Sequence, residues 1–222
     1  MEGLQVVCSL IQPNDYMMKL DLMDAYYTVA VHPEYRRFLR FVFNGTTFEF
    51  QCLPFGQFLS RSAPRAFTRL MTPIIAYIRN LGIRIVIYLD DFLILHQDPK
   101  ALQSIFKKVV DLLKGLGFLI NLKKCSLYPS QQLIFPGTIL NTATMSLSLP
   151  PEKLNTIQLD ARALHSKGSC SMKELAALLG RMSHASQSGI WLAPLHYRAL
   201  QYALRELEWW MSAEPKNSNA HR

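Results

Sequence analysis

The chain has 222 residues, of which 50% are hydrophobic and 18% are charged, and this composition excludes a disordered chain. It is sufficient for one large domain, or for a compact domain with a helical appendage. A net charge of +8 suits a polyanionic partner, but it fits an ordinary solubilising surface equally well. No apolar run approaches membrane-spanning length and no signal-peptide pattern is present, so we expect an intracellular protein with no membrane partner.

Cysteine and histidine give no sign of a metal cage or a disulfide framework. The four cysteines form no CxxC pair, and the six histidines are scattered along the chain. We therefore expect reduced thiols and no zinc site. Residues 1–13 have the character of a domain interior, so we expect that the chain begins within a longer ancestral protein.

The first half of the chain predicts strands joined by tight turns. Residues 18–31 are rich in β-branched and aromatic residues and predict a strand that enters a turn or short helix near Asp24. Asn44-Gly45 lies between two alternating runs and predicts a hairpin. Residues 53–56 predict a turn.

Residues 63–80 predict a helix that ends at Leu81-Gly82. Its apolar positions at three- and four-residue steps are Phe67, Leu70, Ile74 and Tyr77.

A second hairpin is predicted over residues 83–95, where two apolar strands flank Leu89-Asp90-Asp91. Asp98-Pro99 predicts the N-cap and first residue of a helix that runs to about Leu116. Short strands are predicted around residues 119–122, 133–140 and 145–149.

Beyond Pro150-Pro151 the apolar period becomes helical. Ser171 and Glu174 form a capping-box pattern at the start of one helix, and a final amphipathic helix is predicted over residues 190–210. We therefore divide the chain into an α+β domain at 1–150, a helical region at 151–213 and a disordered tail at 214–222.

Two adjacent carboxylates, Asp90 and Asp91, stand at the predicted tip of the second hairpin. Aspartate is common in tight turns because its side chain bonds nearby backbone N–H groups, so a purely structural role stays open. The flanks are almost wholly apolar, however, and two poorly hydrated carboxylates stay ionised only with cations nearby. Asp21 interrupts another apolar strand, and only a sheet could bring it to this tip. Carboxylates that hold two Mg²⁺ or Mn²⁺ ions support phosphoryl transfer.

Four sequence blocks carry the family resemblance by their order along the chain: Asp21-Leu-Met-Asp-Ala-Tyr26, Leu53-Pro-Phe-Gly56, Tyr88-Leu-Asp-Asp91 and Gly117-Phe-Leu-Ile-Asn-Leu-Lys-Lys-Cys125. Together they resemble the reverse transcriptases of retrotransposons and retroviruses, over nearly the whole chain. The stretches QPNDYMMKLDLMDAYYTVAVHP, KELAALLGRMSHAS and LHYRALQ are most similar to the DIRS type, whose elements encode a tyrosine recombinase. Hepadnaviral and long-terminal-repeat elements are more distant candidates.

The resemblance implies an α+β fold: a right-hand polymerase palm with partial fingers and a C-terminal helical thumb. It implies addition of deoxynucleotides (dNTPs) to a primer 3′ end on an RNA or DNA template, with Mg²⁺ as the cofactor and Mn²⁺ as an alternative. The implied metal ligands are Asp21, the carbonyl of Leu22, Asp90 and Asp91. Lys124 corresponds to a catalytic proton donor, and the neighbouring Lys123 is an equally basic alternative.

The same resemblance implies contacts with the substrates. The nucleotide would be bound by Asp24, Ala25, Tyr26, Phe55 and Gly56. A helix N-cap fits Asp24 as well, and a core aromatic is the alternative for Tyr26. As a bulky ring beneath the sugar, Tyr26 would exclude a 2′-OH. The candidates for primer or template contact are Tyr88, Phe135, Gly137, Arg36 and Arg40, although a solvated basic face is the simpler explanation of the two arginines.

The chain departs from the family pattern at three places. Ala63-Pro64 follows Gly56 late, as if residues near 58–60 were inserted; the fingers before Asp21 are mostly absent; and Pro136 replaces a usual leucine. We therefore expect salt-sensitive duplex binding, with primer extension that is weak or absent. The rivals are an inactive retroelement remnant that binds nucleic acid and an RNA-dependent RNA polymerase, against which Tyr26 argues.

Overall fold

The computed structural model describes residues 2–54, 62–188 and 193–213. These residues divide into two compact units. The first unit is Met1–Pro136 with Leu140–Met145, and the second is Gly137–Ile139 with Ser146–Arg222.

The first unit mixes helices and short strands. In chain order its elements are α1 (Leu4–Leu10), β1 (Tyr16–Met23), α2 (Pro33–Arg36), β2 (Arg40–Phe43), β3 (Thr46–Glu49), α3 (Ser62–Asn80), β4 (Arg84–Tyr88), β5 (Asp91–His96), α4 (Pro99–Gly115), β6 (Leu119–Ile120) and β7 (Gln132–Ile134). A 3-10 turn at Ala25–Thr28 follows β1, as predicted for the segment near Asp24. Strand β8 (Ile139–Asn141) contributes residues to both units.

A four-stranded antiparallel sheet in the order β4-β5-β1-β6 forms the centre of the first unit. Successive side chains of a strand point to opposite faces of a sheet, so each strand presents two sets of residues. One set packs against α3 and α4 to form the hydrophobic core, and it includes Leu20, Ile85 and Phe92. The other set carries Asp21 and Asp91, which are Cα partners across β1 and β5. The helices therefore cover the face opposite to these aspartates.

The sequence predicts helix α3 correctly, but only part of its apolar face. Phe67 is buried as predicted and Ile74 packs against the core, whereas Leu70 and Tyr77 are exposed. The other core positions of the helix are Met71, Ile75 and Ile78. The helix has apolar residues on more than one side, and a three- or four-residue step fits both stripes. The sheet decides between them, because only one stripe can face its apolar side.

Both predicted hairpins are present, and so is the helix that begins after Asp98. In the turn between β2 and β3, Asn44 and Gly45 have φ angles of 48° and 74°, as a two-residue hairpin loop requires. The Asp98 carboxylate accepts a hydrogen bond from the Lys100 N–H at 2.8 Å and caps α4.

The predicted strand at residues 133–140 is wrong as a single element. Strand β7 ends at Ile134 and β8 begins at Ile139, and Pro136 and Gly137 lie between them. Proline cannot donate a ladder hydrogen bond, and Gly137 has a φ of 72°, so neither continues a strand.

Besides residues 137–139, the described part of the second unit consists of β9 and the three helices after it. Its elements are β9 (Ser146–Ser148), α5 (Pro151–Lys167), α6 (Met172–Gln187) and α7 (Ala193–Ala213). Helix α6 begins with the predicted capping box between Ser171 and Glu174. Of the final predicted helix, residues 190–192 lie outside the described residues, and so does the tail at 214–222. Among the helices described, none has the length and apolar character to cross a membrane.

A buried polar cluster ties the strand ends that lie away from Asp21. The Asp15 side chain has no exposed surface, and Arg84 donates to both of its oxygens at 2.6 and 2.7 Å. Gln97 donates to the same carboxylate, as does the Gln12 N–H at 2.8 Å. Asp15 precedes β1, Arg84 opens β4 and Gln97 follows β5. The cluster therefore fixes the register that places Asp21 opposite Asp91.

Candidate active site

Three aspartates meet at one end of the central sheet. Asp21 in β1 is the Cα partner of Asp91 in β5, and the Leu22 N–H donates to the carbonyl of Asp90 at 3.0 Å. Tyr88 is the Cα partner of Asp91 across the second hairpin, so its side chain shares their face. The side chain of Leu22, by contrast, is buried in the helix-covered core.

Asp21 is a buried acid beside other charged groups. The residue is 4% exposed, and its Oδ1 atom is buried without a hydrogen-bond partner. Burial raises the pKa of Asp21 most, the adjacent Asp91 carboxylate raises it further, and Lys124 opposes both. A buried oxygen without a partner costs free energy, so it is expected where function requires it.

Two lysines approach the carboxylates. Lys19 Nζ lies 2.9 Å from Asp91 Oδ1, and Lys124 Nζ lies 3.9 Å from Asp21 Oδ2. Of the two lysines proposed as the proton donor, Lys123 and Lys124, it is Lys124 that approaches an aspartate. The sequence analysis missed Lys19. Its signal was the two-residue step from Lys19 to Asp21, which puts both side chains on one face of a strand.

Cys125 packs beneath Asp21 and was also missed. Its Sγ accepts from the Asp21 N–H at 3.4 Å. Burial is the main cause of the raised pKa of this thiol, which therefore stays protonated and uncharged beside the carboxylates. Cys125 is the cysteine that ends the fourth sequence block, but its contact with Asp21 joins residues that are distant along the chain, so the sequence alone predicts no role for it.

The turn that carries Asp90 is strained. Leu89 has a φ of 57°, a left-handed conformation that glycine usually provides in such turns. A side chain with a Cβ in this region costs on the order of 1–3 kcal/mol, and such strain clusters at functional sites. The turn nevertheless holds Asp90 and Asp91 at the sheet end, because five residue pairs register β4 against β5.

The segment after β1 places Tyr26 next to the aspartates. The Tyr26 ring packs edge-on against Phe67, with centroids 5.8 Å apart. Burial is the largest cause of its raised pKa, followed by Asp90 and then Tyr88, so the phenol lies near both. Tyr26 therefore combines core packing with a place beside the acidic cluster.

Asp24 and Ala25 occupy the start of the 3-10 turn. Asp24 stands at the N-cap position, but its φ is 53° and its side chain makes no capping hydrogen bond. The alternative of an N-cap is thus right in position but not in its side-chain bond, and the Asp24 carbonyl accepts from the Tyr27 N–H at 2.9 Å. Asp24 is exposed, whereas Ala25 is buried.

The hairpin of β2 and β3 is exposed along its whole length. Phe41 stacks on Phe48 with ring centroids 5.7 Å apart, so an aromatic face is open to solvent. The nearby arginines are partly engaged: Arg36 Nε donates to the Val31 carbonyl, and Arg40 Nε pairs with Glu49, each at 3.0 Å.

The remaining predicted contact residues are scattered. The Phe135 ring is wholly buried, so contact with a primer at this position would involve the backbone. Gly137 accepts from Lys153 Nζ at 3.0 Å, and a Cβ on Gly137 would collide with that ammonium group. Phe55 and Gly56 lie outside the described residues, as do residues 58–60, where an insertion was predicted.

The carboxylates do not form a finished metal cage. Among residues 2–54, 62–188 and 193–213, no three Asp, Glu, His or Cys side chains are grouped closely enough to hold an ion. The donor set nevertheless suits a hard cation, since it consists of carboxylate oxygens and includes the buried, unpartnered Asp21 Oδ1. Metal ligation here would need a shift of side chains, and the sheet supplies the backbone frame for it.

The fold is that of a polymerase. Solved structures of the foamy viral protease-reverse transcriptase superpose with TM-scores of 0.66 for a complex with RNA/DNA hybrid and 0.63 for one with dsDNA. Each is 19% identical in sequence and covers 94% of this chain, while the chain covers 29% and 44% of them respectively. At this identity the likeness shows the fold alone.

The family model described as "Reverse transcriptase (RNA-dependent DNA polymerase)" matches residues 3–140. This is more than half of the chain, which therefore belongs to the reverse transcriptase family. Protein P of duck hepatitis B virus (strain China) is 28% identical over 130 residues, which are 59% of this chain and 16% of that protein. The Pro-Pol polyprotein of simian foamy virus type 3 (strain LK3) is 29% identical over 118 residues, 53% of this chain and 10% of the polyprotein. The chain thus spans less than a fifth of either relative.

Proposed function

We propose that this chain is the RNA-directed DNA polymerase domain of a retrotransposon, most similar to the DIRS type, and that it adds dNTPs to a primer 3′ end. One observation carries the proposal: the sheet register that pairs Asp21 with Asp91 and brings Asp90 beside them. A family resemblance alone would survive the loss of this pairing, whereas the chemistry would not.

Asp21, Asp90 and Asp91 would hold Mg²⁺, or Mn²⁺ in its place, and the Leu22 carbonyl would add a ligand. A bound metal pair would lower the pKa of the attacking 3′-OH and neutralise charge on the leaving pyrophosphate. The protein's share is alignment: the strand pairing fixes the carboxylates, and the strained turn at Leu89 holds Asp90. Lys124 is the proposed proton donor to the pyrophosphate, and its 3.9 Å approach to Asp21 favours it over Lys123.

The nucleotide is proposed to lie over the segment after β1. Asp24 and Ala25 would present backbone N–H groups to the triphosphate, and Phe55 and Gly56 would lie under the bases. Tyr26 would stand beneath the sugar, because Asp90 and Tyr88 both lie close enough to raise the pKa of its phenol. Tyr88 shares a face with the aspartates and is the proposed contact of the primer end.

The proposed partner is a primed RNA or DNA template. The foamy viral relatives were solved with dsDNA and with RNA/DNA hybrid, which makes a nucleic-acid duplex the natural candidate here. The β2–β3 hairpin would act as part of the fingers, with Arg36 and Arg40 near template phosphates. Helices α5–α7 would act as the thumb, and the segment at Phe135 and Gly137 would be the primer grip.

A single-nucleotide extension assay tests this function. The purified chain is mixed with a primed RNA template, Mg²⁺ or Mn²⁺ and one dNTP at a time. We expect the primer to grow only with the dNTP complementary to the next template base. Growth that ignores the template, or growth unaffected by removal of the metal with a chelator, would contradict templated polymerisation.

Replacement of Tyr26 by alanine should relax sugar selectivity. Loss of the ring opens space for a 2′-OH, and the ratio of ribonucleotide to deoxynucleotide incorporation should rise about 10- to 200-fold, the range for one small group in a tight pocket. Tyr26→Phe is the matched control, because it keeps the ring and should keep the parent ratio. If the alanine variant also keeps the parent ratio, Tyr26 is a core residue and does not select the sugar of the nucleotide.

A second candidate is a nucleic-acid-binding remnant that no longer catalyses. It is favoured by the lack of a closely grouped metal-binding set among the described residues. The extension assay separates the two candidates when duplex binding is measured on the same sample. Salt-sensitive binding without any metal-dependent extension would favour the remnant.

A further inference from the structure

Lys19 lies on the same face of the sheet as Asp21 and Asp91, which we call the acidic face. It precedes Asp21 by two residues in β1, so both side chains point to the same side. Its Cα partner in β5 is Leu93, which places Asp91 diagonally across the strand pair. A long side chain reaches a diagonal neighbour easily, and the Lys19 ammonium group does so.

The ion pair of Lys19 with Asp91 is short and largely shielded. Its atoms lie 2.9 Å apart, and the two side chains are only 24% and 22% exposed. The pair of Lys124 with Asp21 differs in both respects, because its atoms lie 3.9 Å apart and the lysine is 64% exposed. An exposed, loose pair contributes little, whereas a close pair away from water is strongly coupled. Lys19 is therefore the principal cation of the acidic face.

The two facing aspartates are treated unequally. The Oδ1 atoms of both aspartates are buried without a hydrogen bond, but Asp91 Oδ1 lies 2.9 Å from the Lys19 ammonium group. The exposed Lys124 approaches Asp21 only at Oδ2 and only to 3.9 Å, so Asp21 Oδ1 has no such counter-charge. A carboxylate already paired with an ammonium group has less to gain from a divalent cation than one with an unpartnered oxygen. At Asp91 the negative charge is therefore balanced by Lys19, whereas at Asp21 Oδ1 it is not balanced by a close cation.

We propose that Lys19 is the built-in counter-ion of this site: it orients Asp91 and offsets its charge, so that Asp91 is the weakest of the three metal ligands and Asp21 with Asp90 binds the divalent metal most strongly. Lys19 is thus a positioning residue, and this proposal rests on the proposed function. Two consequences follow. Lys19 stabilises the metal-free protein, because it offsets the repulsion among three carboxylates. It also weakens metal binding, because its positive charge lies close to any ion held there.

Lys19→Met tests both consequences, with Lys19→Arg as the charge-conserving variant and Lys108→Met as the control. Lys108 is exposed on α4, so its loss changes the net charge equally without touching the site. Mn²⁺ affinity is measured by the electron paramagnetic resonance signal of free Mn²⁺, and melting temperature is measured with and without Mn²⁺. Both measurements report Mn²⁺ binding in the absence of primer and nucleotide.

We expect Lys19→Met to bind Mn²⁺ about tenfold more tightly than the parent, as the loss of one nearby charge implies. Its melting temperature should be lower than that of the parent without metal, and Mn²⁺ should raise it by more. Lys19→Arg and Lys108→Met should match the parent in affinity. If Lys19→Met is unfolded without metal, saturating Mn²⁺ should restore folding.

The proposal is overturned if Lys19→Met binds Mn²⁺ as the parent does, if Lys108→Met shifts the affinity equally, or if Mn²⁺ fails to rescue an unfolded Lys19→Met. Asp21→Asn separates this failure from that of the proposed function. If Asp21→Asn abolishes Mn²⁺ binding while Lys19→Met leaves it unchanged, only the role of Lys19 is wrong. If Asp21→Asn binds Mn²⁺ as the parent does, the metal site itself is elsewhere and both proposals fail.

Discussion

Asp90→Asn is expected to slow primer extension by at least about a thousandfold. The change keeps the shape of the side chain and removes the charge that would hold metal. A metal contributes several kcal/mol of charge stabilisation, and about 4 kcal/mol corresponds to about a thousandfold in rate. The measurement is the single-turnover rate on a primed RNA template at saturating protein, so that weaker binding does not contribute.

Asp111→Asn is the matched control for this experiment. Asp111 is exposed on α4, and the same chemical change there should leave the rate within about twofold, as expected for a surface site. An Asp90→Asn protein that extends primers at the parent rate would show that Asp90 binds no metal.

Asp15→Ala is expected to lower the free energy of unfolding by about 3–5 kcal/mol, the usual cost of removing one partner from a buried ion pair. The change leaves the Arg84 guanidinium, which donates two hydrogen bonds to Asp15, without its counter-charge. It also leaves the Gln12 N–H without its acceptor. The measurement is urea unfolding followed by circular dichroism, with Asp111→Ala as the control.

The same cluster allows a test of coupling. In the double variant Asp15→Leu/Arg84→Met, both charges are replaced by apolar groups, so the loss should be smaller than the sum of the two single losses. Additive losses would mean that the two residues act separately and that the cluster does not hold the strand register.

Local features of the fold were predictable from the sequence. The Asn44-Gly45 turn, the Asp98 cap and the capping box at Ser171 each depend on residues close in sequence, and the structure contains all three. The apolar face of α3 was only partly predictable. Phe67 and Leu70 fit the helical period equally well and both were predicted, but Phe67 is buried and Leu70 is exposed. Only packing against the sheet, which depends on distant residues, separates the two.

In the candidate site, too, the residues within sequence motifs were predictable, and those that depend on distant contacts were not. The motif blocks name Asp21, Asp90 and Asp91, and the sheet brings them to one end, as their chemistry requires. Lys19 belongs to none of the four blocks, and Cys125 ends the fourth block without a predicted role. Strand pairing brings Lys19 to the site, and packing brings Cys125 there. Asp24 failed as a side-chain cap for a backbone reason: its left-handed conformation differs from the extended one that a capping residue adopts.

The most direct test of the central claim is a crystal structure of the chain with Mn²⁺, a primed template and a non-hydrolysable dNTP, with the metal located by anomalous scattering. We expect two Mn²⁺ peaks at the end of the sheet, one of them within bonding distance of Asp21 Oδ1, with the triphosphate between them and Lys124. Mn²⁺ bound elsewhere, with the Asp21 carboxylate still unpartnered while duplex and dNTP are in place, would contradict it.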